Sequence, residues 1–107
     1  MTRLGLVAAA ILASGAAQAD VKLTKTRFKL DCDAVSGACF VYAYIRVRNE
    51  ERREVRFDAV CRVYKAKDEY LQTIFGKFSA PPSSESEYTV WGYHSWGAVR
   101  ADCNVRS

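Results

Sequence analysis

The chain has 107 residues, with 16 Lys and Arg, 12 Asp and Glu and a single His, for a formal net charge of +4 at pH 7. This balance is mild, and its strongest basic run (Arg46, Arg48, Arg52, Arg53, Arg56 and Arg62) is interrupted by Glu50, Glu51, Glu54 and Asp58. The mixed signs argue against the one-sign field that attracts nucleic-acid phosphates.

The N-terminus reads as a cleaved secretory signal over residues 1–19. Arg3 gives a short positive start, Leu4 to Ala13 is unbroken and apolar, and Ala17 and Ala19 flank Gln18 as the small residues of a cleavage site. The apolar run is too short for a membrane span, which needs about 20 residues. The expected mature chain starts at Asp20, carries no transmembrane segment and goes to the periplasm or the extracellular medium. Losing Arg3 leaves 15 basic against 12 acidic residues, a net charge of +3.

The mature chain, residues 20–107, reads as one all-β domain. Val21 to Leu30 is a first strand whose phase slips near Lys25-Thr26, as at a bulge. Cys32 and Cys39 bracket a turn-like DAVSGA. From Phe40 to Arg48, Val41, Ala43, Ile45 and Val47 alternate with Phe40, Tyr42, Tyr44, Arg46 and Arg48; the charged members mark the outward face. Asn49 to Glu54 is a polar connection. Val55, Phe57, Ala59, Cys61 and Val63 form the inward set of the next strand, with Arg56, Asp58, Val60 and Arg62 outward. Lys65 to Glu69 is a turn, Tyr70 to Phe78 a strand, and Ala80 to Ser86 (APPSSES) a proline-marked loop. WGYHSWG, residues 91–97, reads as a strand end and turn whose Trp91 and Tyr93 plug the core. A last strand, Ala98 to Val105, places Val99, Ala101, Cys103 and Val105 inward. Such short strands imply a single antiparallel β-sandwich.

Four cysteines in an exported domain of this size imply two disulfides. Cys61 and Cys103 point into one core and Cys32 and Cys39 flank one turn, so Cys32–Cys39 and Cys61–Cys103 are the expected pairs. A zinc site normally uses closer cysteine pairs or Cys-His mixtures, so no metal and no cofactor is expected. The strand, Asn-containing turn and strand, followed by C-R-V-Y-K-A-K-D-E-Y-L and P-P-S-S-E, resemble the FxLYD-type domains between Phe40 and Tyr88. That resemblance implies an immunoglobulin-like sandwich and no catalytic residues.

Chemistry is sparse. His94 is the one histidine, and a triad with Ser95 and Asp102 is disfavoured because neighbouring strand residues face opposite ways. The carboxylate pairs Asp31/Asp33 and Glu85/Glu87 fit solvated turns. Binding is the expected activity, with a protein or a cell-envelope component as partner. Its candidate residues are Tyr42, Tyr44, Arg46, Arg62, Tyr64, His94 and Trp96. If the second and third strands pair as a hairpin, Tyr42 meets Arg62 and Arg46 meets Asp58, giving one aromatic–arginine surface; if they cross between sheets, that shared patch is lost. The alternatives are a small secreted hydrolase using His94 with a carboxylate, and a carbohydrate-binding module using Trp96 and Tyr93.

Overall fold

The computed structural model describes residues 20–107; the secretory signal expected over residues 1–19 lies outside the described residues. Six strands follow in order: β1 Val21–Cys32, β2 Cys39–Asn49, β3 Val55–Lys65, β4 Glu69–Ala80, β5 Ser84–Gly92 and β6 Ala98–Arg106. All pairings are antiparallel, in two three-stranded sheets of order β1-β2-β5 and β4-β3-β6. The sheets stack with β1 over β6 and β4 beside β5. Among the described residues, no helix is long and apolar enough to cross a membrane.

The core is built from the two middle strands, because each has a sheet neighbour on both sides and the opposite sheet above it. Val41, Ala43, Ile45 and Val47 of β2 and Val55, Phe57, Ala59, Cys61 and Val63 of β3 are all at most 2% exposed. Period-two alternation therefore becomes one continuous apolar layer, as the charged outward residues require. The same inward positions on the rim strands β1 and β6, among them Phe28, Leu30, Cys103 and Val105, are only half-buried.

Both disulfides form as the spacing predicts, Cys32–Cys39 between β1 and β2 and Cys61–Cys103 between β3 and β6. Each joins directly opposite residues of neighbouring strands, so neither bridge crosses between sheets. The β1 irregularity falls between Leu23 and Lys25, one step before its expected place.

Val99, expected inward on the last strand, is skipped in the β3 pairing and is 54% exposed. Two larger readings of the sequence are also corrected. The loop expected over Ala80 to Ser86 is only a tight turn, since β5 starts at Ser84. The prolines occupy the turn itself, which closes when Ser84 Oγ donates to the Pro81 carbonyl at 2.7 Å and Ser83 N–H donates to Glu51 O at 2.9 Å. The second correction concerns WGYHSWG: Trp91 and Tyr93 are 50% and 55% exposed, and Gly92 between them is the buried residue. A methyl group on Gly92 would collide with Ile74 Cγ2 of β4, so only glycine lets the sheets approach here.

Asn49, at the end of β2, is a buried polar hub. Its side-chain amide donates to the carbonyls of Arg53, Ala80 and Pro81 at 2.9, 3.1 and 2.9 Å, and its Oδ1 accepts from Glu51 N–H at 2.9 Å. One side chain thereby ties the β2–β3 connection to the β4–β5 turn and gives the buried Ala80 carbonyl a donor.

Candidate functional site

Successive strands β2 and β3 lie in different sheets, so the hairpin surface is not formed. Tyr42, Tyr44 and Arg46 face outward from β1-β2-β5, whereas Arg62 and Tyr64 belong to β4-β3-β6 and face the other way. The expected residues thus divide between two opposite surfaces.

The first surface carries the larger aromatic group. Tyr42 stands opposite Trp91 and also beside Lys29 of β1, and Tyr44 lies between Arg27 and Thr89. Phe40 and Tyr93 approach edge-on with ring centroids 5.4 Å apart, and Trp91 meets Tyr93 at 5.0 Å. The Tyr42 and Tyr44 rings are nearly parallel, 6.3 Å apart. The Arg27 guanidinium sits 4.7 Å over the Tyr44 ring and bonds Glu87 at 2.9 Å. The result is a continuous patch of Phe40, Tyr42, Tyr44, Trp91 and Tyr93, with Arg27 and Lys29 along its β1 flank. Edge-to-face packing holds these rings in fixed orientations, which lowers the entropy lost when a ligand covers them.

Sequence reasoning set Phe40 outward without counting it as a binding residue, and it missed Trp91, Arg27 and Lys29 in this patch. The signal was present: Glu85, Glu87, Thr89 and Trp91 share one parity on β5, and Ser84, Ser86, Tyr88, Val90 and Gly92 share the other. Two charged residues on the Trp91 side mark it as outward. Treating Ala80 to Ser86 as loop hid the first of them, Glu85.

The far end of the same face is held by ion pairs. Glu85 accepts from Arg46 Nε at 2.7 Å and from Arg48 Nε at 3.2 Å, and Arg48 also reaches Glu50 at 3.3 Å. The Arg46 hydrogen bond first, then that of Arg48, holds the Glu85 carboxyl below its usual range. Arg46 is thus committed to Glu85, away from the aromatic patch.

On the opposite face Tyr64 is half-buried, with Arg100 4.2 Å over its ring and Tyr70 at 6.1 Å. Arg100 also pairs with Asp68 and, at 3.4 Å, with Asp102; the Asp102 hydrogen bond is the main cause that raises its pKa. Arg62 is exposed beside this cluster, directly opposite Asp102.

His94 and Trp96 sit in the β5–β6 loop, both exposed. His94 adopts a left-handed φ of 56°, and its ring lies 6.1 Å from Tyr93. Its sequence neighbour Ser95 is fully buried, where it accepts from Gln72 Nε2 at 2.6 Å and its N–H donates to Cys39 O at 3.1 Å. The two residues face different environments, and Asp102 is engaged by Arg100. Asp33 caps its own turn, accepting from Val35 N–H at 3.0 Å and Ser36 Oγ at 2.9 Å; the Val35 bond is the main cause of its lowered pKa. Glu85 and Glu87 lie on β5, each bound to arginine. Among the described residues, no group of three His, Cys, Asp or Glu side chains is placed to hold a metal ion.

Comparison with protein-family models, characterised proteins and solved structures finds no match to this chain.

Proposed function

We propose that this chain is an exported, non-enzymatic, immunoglobulin-like sandwich module that binds a protein partner through the aromatic end of the β1-β2-β5 sheet. The observation that carries the reading is the patch itself: five aromatic side chains on one solvent-facing surface, two of them at least half exposed. Aromatic and arginine side chains anchor protein interfaces because they bury large areas at small conformational cost. The sheet orders, with β2 to β3 and β4 to β5 each passing between sheets, support the immunoglobulin-like reading. The two disulfides support export. The commitment of Ser95, Glu85, Glu87 and Asp102 to structural partners supports the non-enzymatic part.

The test is crosslinking in the producing cell, followed by capture and mass spectrometry, with Tyr42→Ala and Trp91→Ala compared against Arg62→Ala on the opposite face. Loss of one specific captured protein in the first two variants, and its retention in the third, is expected. Equal capture by all three would overturn the assignment of this face.

A second reading, carbohydrate binding, rests on the exposed rings of Tyr93, Trp91 and Trp96. Titration with envelope glycans while tryptophan emission is followed would show a saturable shift; a flat response removes it.

A further inference from the structure

We propose that the free edge of β6 pairs with β6 of a second copy of this chain, antiparallel about a two-fold axis at Asn104. Unpaired edges are templates for strand addition, and the other three rims are blunted. β1 has a break between Leu23 and Lys25 and carries Lys22, Lys25 and Lys29. On β4, Leu71 is skipped between Gln72, opposite Val63, and Tyr70, opposite Tyr64. β5 carries charged side chains along its edge, Glu85 and Glu87, held in ion pairs by Arg46, Arg48 and Arg27. β6 keeps an unbroken register against β3 from Arg100 to Arg106.

The direction of its hydrogen-bonding groups follows from the Cys61–Cys103 pair, whose Cα atoms are 4.0 Å apart. So close an approach marks a non-hydrogen-bonded antiparallel pair. The N–H and C=O of Cys103 therefore point away from β3, and by alternation so do those of Ala101 and Val105. The side chains of these three residues face inward and are only half-buried, as are Phe28 and Leu30 of β1. This flank thus offers unpaired backbone groups beside uncovered apolar surface.

Charge selects the register. An axis at Cys103 sets Arg100 against Arg106, and one at Asp102 sets two aspartates together; both are repulsive. An axis at Ala101 requires Val99, the residue skipped in the β3 pairing. With the axis at Asn104, Asp102 faces Arg106 of the second copy twice, Cys103 faces Val105, and the two Asn104 amides meet. Arg106 is in no ion pair among the described residues.

The test is sedimentation equilibrium of the purified protein over a range of concentrations. A reversible monomer–dimer equilibrium is expected, weakened by about tenfold or more in Asp102→Arg and in Arg106→Asp and recovered when both are exchanged in one chain. Asn104→Cys should oxidise to a covalent dimer, whereas Thr89→Cys, exposed on the other sheet, should not. Melting curves confirm that each variant is folded. A protein monomeric at every concentration, a dimer indifferent to both charge reversals, or a β6 edge occupied by another protein's strand in place of a second copy would overturn the proposal.

Discussion

Gly92 and Trp91 are consecutive on β5, yet Gly92 presses against Ile74 in the core while Trp91 stands half exposed opposite Tyr42. The glycine makes the tryptophan available: any larger residue at that position would push β5 away from β4. Gly92→Ala is therefore expected to destabilise by about 1–3 kcal/mol, as overpacked interiors do. Trp91→Ala should cost less than about 1 kcal/mol, the scale of one cross-strand pair. Thermal melts of the two variants check the order, and the reverse ranking would place Trp91 in the core after all.

Asn49 governs a different part of the fold. Replacing it with Ala takes the Asn49 donor from the buried carbonyl of Ala80, while Pro81 O keeps Ser84 Oγ, and a buried carbonyl left unpaired costs about 1–3 kcal/mol. The expected loss is about 2–3 kcal/mol. Asn49→Asp should fare no better, because a carboxylate supplies no donors. Denaturant titration that found either variant within about 1 kcal/mol of the parent would contradict this role.

The two disulfides should contribute unequally. Cys61–Cys103 closes a separation of 42 residues and Cys32–Cys39 one of 7. Loop-closure entropy then predicts losses of about 4 and about 2.5 kcal/mol for the paired alanine variants. Calorimetry of the two double variants tests the ranking. The shorter bridge still matters locally, because Cys39 O holds the Ser95 N–H of the loop that carries His94.

Much of this could be read from the residues alone. The inward stripes of β2 and β3 were legible because charged residues on each strand declare the outer face. The disulfide pairs were legible because parity and spacing left one natural assignment. The sheet partners were not, since alternation says which way a side chain points and nothing about which strand lies beside it. Whether Tyr42 neighbours Arg62 or Trp91 depends on the crossing between β2 and β3, and the polar connection from Glu50 to Glu54 suits either course. The Gly92–Ile74 approach was hidden for the same reason, being a contact between sheets.

Acid should loosen the ion-paired end of the aromatic sheet. The Glu85 pKa is depressed in the folded chain, so its contribution is fully present above the ordinary glutamate range and is lost as pH falls through the lowered value. The melting difference between the parent and Glu85→Gln should therefore shrink between neutral pH and about pH 3. The pair is exposed, so about 1 M salt should shrink it as well. A difference constant across that range would rule out the Arg46–Glu85–Arg48 network as its source.

The strict alternation along β2 and β5 also bears on how this scaffold can be altered. On β2 every position that meets solvent on the aromatic face is flanked in the chain by buried positions, and on β5 Trp91 sits between buried Val90 and Gly92. A randomised library confined to Phe40, Tyr42, Tyr44, Thr89, Trp91 and Tyr93 would alter the proposed binding surface while leaving the buried stripe of Val41, Ala43, Ile45 and Val90 unchanged. Specificity and foldability are interleaved one residue at a time, and each can be changed without rewriting the other.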